Sequence, residues 1–222
     1  KTFNGRNVCR NRFRKRYPHY RQKMAYPTIN KIETGFWQQN APGETVCGDR
    51  YYAKTIGNIL RVGIIDGLGH GLPAAQAANA AWEIIENNNC AINELIPIIH
   101  DRLKATRGAV LSIASIDMAT GALEYIGIGN ISTYMVFPKQ VRTLLNDDGF
   151  LGYSLPKYRV RISDFSKARK LIMCSDGIKS IPRKELLHFG NQNVRDIAKA
   201  VAKVWYENRD DGTVLVVKKK EY

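Results

Sequence analysis

The stretch Ile64-Ile65-Asp66-Gly67-Leu68-Gly69-His70-Gly71, continued by Leu72-Pro73-Ala74-Ala75-Gln76-Ala77-Ala78-Asn79-Ala80-Ala81, decides how the chain is read. An apolar run over residues 58–65 ends on an acidic side chain, a glycine-rich turn follows, and a helical pattern starts at once. A carboxylate at the C-terminal end of a strand is held in fixed geometry by the ladder behind it. Small residues at positions 74, 75, 77, 78, 80 and 81 let a helix over 72–87 pack closely against a sheet. The glycine turn is not a dinucleotide cradle, because G-x-G-x-x-G requires a glycine where Leu72 stands. Asp66 would also repel a phosphate unless a cation lay between them, which favours a metal site over a bare phosphate loop.

Working outward, the pattern predicts strands over 32–38, 50–54 and 58–65, with a turn at Gly57-Asn58. A second helix is expected over 92–105, then strands over 109–117, 121–128 and 131–137, with turns at 117–121 and at Gly129-Asn130. Residues 144–157 read as a loop, followed by strands near 158–162 and 170–175, a helix over 193–206 and a last strand over 213–218. Strands, two helices, many strands, a helix and a strand make an α+β class. The expected architecture is antiparallel sheets packed between helices rather than a doubly wound sheet.

A length of 222 residues suits one well-filled domain and allows at most two. With 44% apolar and 24% charged residues, the chain has enough apolar material for a globular core. No apolar run approaches the roughly 20 residues that span a bilayer, and no secretory segment opens the chain. Cys9, Cys47, Cys90 and Cys174 lie far apart without zinc spacing, so reduced thiols and a cytoplasmic location are expected. The net charge of +14 is uneven: residues 1–31 hold ten Lys or Arg and no acid, while elsewhere 24 basic residues face 20 acidic ones. We therefore divide the chain into a basic arm or linker over 1–30 and a domain over 31–222. An opening at Lys1 rather than Met fits a piece of a longer protein.

Four acidic sites sit at strand ends beside small residues: Gly48-Asp49, Asp66-Gly67, Ser175-Asp176-Gly177 and Asp210-Asp211-Gly212-Thr213. Any one of them alone reads as a turn. Four in order, two closing predicted strands and one opening the last, read as oxygen ligands for a hard divalent cation such as Mg²⁺ or Mn²⁺. Asp147-Asp148-Gly149 lies in the polar loop and reads as a turn. His70 is either a proton donor to a leaving alkoxide or a structural partner of the turn. No cysteine opens a CxxxxxR loop and no serine lies in GxSxG, so neither a cysteine nor a serine nucleophile is expected.

Together these motifs resemble the metal-site motifs of the PPM (PP2C-like) protein phosphatases. The similarity is greatest to the compact bacterial branch with SpoIIE, RsbU and RsbX, and by size to its single-domain RsbX-like members, over about residues 32–219. The resemblance implies a four-layer αββα sandwich and a centre of two Mn²⁺ or Mg²⁺ ions. Asp66 would bridge both ions, Gly67 would add its carbonyl, Asp176 and Asp210 would bind, and Asp49 would act through water. It implies phosphoserine or phosphothreonine hydrolysis by a hydroxide bridging the metals. The substrate would be a phosphorylated regulatory protein of the STAS-domain type, from a stress or sporulation switch. Glu44 is too distant from Asp49 in sequence to match the adjacent acid of larger members, and Leu68 stands where they carry a histidine. Two other readings compete: a catalytically weak phosphoprotein-binding regulator, and a nucleic-acid binder acting through the arm. For the arm itself, contact with an acidic protein surface is the favoured role.

Overall fold

The computed structural model describes residues 32–220; the basic arm over 1–30 lies outside the described residues. In chain order the elements are β1 (Ile32–Gln39), β2 (Asp49–Ile56), β3 (Ile59–Gly67), α1 (Gly71–Asn87), α2 (Ile92–Leu103), β4 (Ala109–Asp117) and β5 (Ala122–Ile128). They continue with β6 (Ser132–Val136), β7 (Val141–Leu144), β8 (Arg161–Asp164), β9 (Lys170–Cys174), α3 (Arg183–His188), α4 (Val194–Trp205) and β10 (Gly212–Lys219).

The strands form two five-stranded sheets, ordered β1-β10-β9-β6-β7 and β2-β3-β4-β5-β8, and every neighbouring pair is antiparallel. Three apolar layers result. Ile64, Tyr125, Met135, Met173 and Leu215 fill the space between the sheets. The alanines of α1 and the isoleucines of α2 cover the outer face of the β2–β8 sheet. Leu186, Ile197 and Val201 of α3 and α4 cover the other sheet. Helix, sheet, sheet, helix is the αββα sandwich expected from the sequence.

Both sheet faces are buried, and the central strands show it: every residue of β4 and of β5 is buried. Such strands read as continuous apolar runs rather than alternating ones. Helix α1 approaches β3 very closely because its contact face is alanine. A Cβ on Gly67 would fall on the carbonyl oxygen of Ala74. At the sheet edges Phe36 of β1 stacks on Tyr51 of β2 with ring centroids 3.8 Å apart.

Two elements were not expected. β7 is a four-residue edge strand and α3 a six-residue helix behind Pro182; both are too short to show a period. The expected strand at 158–162 instead runs over 161–164, because Asp147 takes the Arg161 guanidinium and the Arg159 amide and holds the preceding segment against the loop.

Gly67→Ala should lower stability by about 1–3 kcal/mol or more, since α1 must move away from β3. Urea denaturation checks this, and a loss below about 0.5 kcal/mol would place the helix farther from the strand than described.

Candidate metal centre

The antiparallel register pairs Asp49, at the start of β2, directly with Asp66, near the end of β3. In the other sheet β9 ends at Cys174, so Ser175-Asp176-Gly177 emerges beside the Asp210-Asp211 segment that leads into β10. The two sheets meet at this end. Ser175 Oγ donates to Asp49 Oδ2 at 2.7 Å, and Thr213 N donates to Ser175 Oγ at 2.8 Å. Gln38 Nε2 donates to the Asp49 carbonyl and to Thr213 Oγ1, each at 3.1 Å. Asp49 is thus 1% exposed yet fixed from the opposite sheet.

Burial and neighbouring charge act on these acids in the same direction. Burial, and then the charges of Asp49, Asp176, Asp210 and Asp211, push Asp66 up to about 9. Burial also raises Asp49, to about 7, against the hydrogen bonds from Ser175 and Thr213 and with help from Asp211 and Asp176. Asp176 moves up through partial burial of its carboxyl and the charge of Asp210, although the residue as a whole is solvent-exposed. No Lys or Arg figures among the leading causes for any of the three. Burial is the largest cause for each, and the neighbouring carboxylates add to it with no cation to oppose them.

Asp211 adds a second sign. It is 3% exposed, its Oδ1 accepts from Ala41 N at 2.9 Å, and its Oδ2 is buried with no hydrogen-bond partner. Glycines make the room: a Cβ on Gly48 would sit 2.7 Å from that orphan oxygen. Among the described residues no three His, Cys, Asp or Glu side chains stand in a closed ligand geometry. Mutual fields act over longer distances than ligand bonds, so the two observations agree: the acids share one region without gripping a point. An all-oxygen donor set, uncompensated negative charge and an orphan carboxylate oxygen fit a hard divalent cation.

The expected residues are therefore distributed as follows. Asp49, Asp66, Asp176 and Asp210 share one end of the sandwich, and Gly67 adjoins Asp66. Asp210 Oδ1 accepts from the amide of Asp211 at 2.8 Å. His70 stands at the rim, immediately before α1, with its side chain 66% exposed and its Nδ1 2.5 Å from Glu44 Oε1. Sequence reasoning missed Glu44 as the partner of His70, Ser175 and Thr213 as the ties on Asp49, Asp211 as the buried acid, and Asn130, whose Nδ2 donates to Asp176 Oδ2 at 2.8 Å. Only Asp211, Ser175 and Thr213 carried a signal, as neighbours of the motif aspartates.

Fold and site together define the class of PP2C-like serine/threonine protein phosphatases. The family described as Stage II sporulation protein E (SpoIIE) matches residues 57–220, well over half of the sequence, and the chain belongs to that family. It is 26% identical over 187 residues to the phosphoserine phosphatase RsbX of Bacillus subtilis (strain 168), covering 83% of this chain and 94% of that protein. The crystal structure of RsbX in complex with magnesium superposes with a TM-score of 0.78 at 26% identity, over 86% of this chain and 96% of that one. A chain solved in work on the bacterial stressosome superposes equally well, at 0.78 and 26% identity, over 85% of this chain and all of that one. Among the described residues no helix is long and apolar enough to cross a membrane.

The raised acids fix the sign of a pH effect. A carboxyl whose folded pKa lies above its unfolded value binds more protons when folded, so stability rises as pH falls from the folded pKa toward the ordinary range near 4. Chelator-treated protein should thus gain melting temperature between pH 8 and pH 6, through Asp66 and Asp49. Excess Mn²⁺ should flatten that slope by neutralising the same acids. A metal-free protein whose melting temperature falls over this interval would contradict the convergence.

Proposed function

We propose that this chain hydrolyses phosphoserine or phosphothreonine on a regulatory phosphoprotein, with two Mn²⁺ or Mg²⁺ ions held by Asp66, Asp176, Asp210, the Gly67 carbonyl and, through water, Asp49. The observation that carries the reading is the pairing of Asp49 with Asp66 across β2 and β3, with Asp49 tied through Ser175 to the end of the opposite sheet where Asp176 and Asp210 stand. When bound, the ions would supply charge neutralisation at the phosphoryl oxygens and lower the pKa of a shared water, as the resemblance implies.

The chain's own residues do the remaining work. Asp49, clamped by Ser175 and Thr213, keeps one carboxylate orientation while substrate exchanges. Asp211, buried beside Gly48, adds a carboxylate oxygen that no hydrogen bond satisfies. Glu44 holds His70 at Nδ1 and leaves Nε2 as the atom that protonates the leaving serine or threonine oxygen. The RsbX likeness and the stressosome chain support a substrate of the STAS-domain type in a stress switch. On the same reading the protein is cytoplasmic, and the basic arm over 1–30 meets an acidic protein surface.

A phosphopeptide assay with Mn²⁺ and with chelator tests the proposal. Turnover should require the metal, and Asp66→Asn should reduce it on the order of a thousandfold. Metal-independent turnover, or an Asp66→Asn variant of full activity, would sink the reading. A wild type that binds phosphoprotein without turnover would favour the binding-regulator alternative.

His70→Gln should slow phosphopeptide hydrolysis by about a hundredfold. It should scarcely change hydrolysis of p-nitrophenyl phosphate, whose leaving group needs no proton. Equal losses on both substrates would remove His70 from proton transfer.

A further inference from the structure

One turn beside the carboxylates is held by unusual means. Between β5 and β6 the chain reverses through Gly129-Asn130-Ile131. The two carbonyls that flank Asn130 accept hydrogen bonds from a single side-chain amide: Asn146 Nδ2 donates to Gly129 O at 2.9 Å and to Ile131 O at 2.7 Å. The same turn is tied by backbone, since Gly129 N donates to Asp147 O at 3.0 Å and Asp147 N to Gly127 O at 2.9 Å.

The amide that grips the turn is itself fixed from the interior. Asn146 Oδ1 lies 2.5 Å from the hydroxyl of Tyr125, which donates to it. That hydroxyl stands 2.9 Å from Ser112 Oγ and 3.1 Å from Thr133 Oγ1, and all three of these residues are fully buried. Gly127 makes the space, because a Cβ there would overlap Asn146 Oδ1 and the Tyr125 hydroxyl. A buried polar network with every member satisfied specifies one arrangement of its surroundings. From the centre of the turn Asn130 Nδ2 donates to Asp176 Oδ2, leaving the other carboxylate oxygen of Asp176 clear of this bond.

We propose that Asn130 and Asn146 are positioning residues for Asp176. Asn146 locks the turn, and Asn130 then sets the rotation of the Asp176 carboxylate and so the affinity for a divalent cation. This rests on the metal-centre reading above. The arrangement has a physical logic. Asp176 lies in a field of other acids and would rotate outward to water if free, because it is the solvent-exposed member of the group. A neutral amide donor restrains it without adding a positive charge that would compete with the cation. Outer partners of ligating carboxylates typically govern metal affinity by 10–100-fold.

The experiment is Mn²⁺ titration of the full chain by calorimetry, with free Mn²⁺ checked by electron paramagnetic resonance. Asn130→Ala should weaken Mn²⁺ binding about tenfold while leaving the melting temperature of chelator-treated protein unchanged, because Asn130 is exposed. Asn146→Ala should weaken binding to a similar extent. The double variant should bind no more weakly than Asn130→Ala alone, since both residues act through one carboxylate. Wild-type affinity in Asn130→Ala, or additive losses in the double variant, would overturn the positioning role while wild-type turnover keeps the phosphatase reading intact. A wild type that takes up no Mn²⁺ would overturn both.

Discussion

Negative charges forced together at the meeting point of two sheets are the constraint around which this molecule is built. Two unit charges a few ångströms apart repel by about 1 kcal/mol in water and several times that near a protein surface. The acids cannot relax by drifting apart. Asp49 and Asp66 are locked face to face by a ladder running the full length of β2 and β3, and Asp176 and Asp210 flank the β9–β10 pair. What opposes the repulsion is the apolar packing on three levels, above all the inter-sheet layer of Ile64, Met173 and Leu215. The fold thus places its acids together at the end where the two sheets meet.

That arrangement requires the sheets to keep a constant offset, and a small set of polar ties sees to it. Gln38 and Ser175 reach from one sheet to Asp49 on the other, so the carboxylate is part of the joint between layers. Gly67 N donates to the Gly48 carbonyl at 3.1 Å, which draws the entry to β2 against the exit from β3. Glycine at 48, 67 and 177 lets backbone, helix α1 and Asp211 approach more closely than any side chain would allow. Binding chemistry and layer packing are here the same set of contacts.

Much of this is legible in the sequence. An apolar run that stops on Asp66, a turn of glycines and a face of alanines specify strand, turn and close-packed helix, because each signal is local. The other acids stood out as Asp sites beside small residues at strand ends, and the resemblance supplied their roles. What escaped was non-local or short. Nothing near Glu44 announces His70, 26 residues away. Asn146 sits in a segment read as plain loop, yet it closes a network with Tyr125, 21 residues earlier. β7 and α3 are stabilised by the layers they cover rather than by any periodicity of their own. Of the two adjacent acids, sequence pointed to Asp210, while burial shows that Asp211 is the one with an unanswered oxygen, a distinction set by which side of the strand entry faces inward.

The pairing of β1 with β10 carries a consequence for architecture on a larger scale. Ile32 faces Lys219, whereas Gln38 and Thr213, near the other end of the same pair, lie at the carboxylates. With a rise of roughly 3.3 Å per residue, the corner where both described ends emerge is about 20–25 Å from the acidic end. Cargo fused at either end would leave from one pole and keep the opposite one open. A tether of a dozen extended residues is enough to swing from that corner round to the mouth of the site.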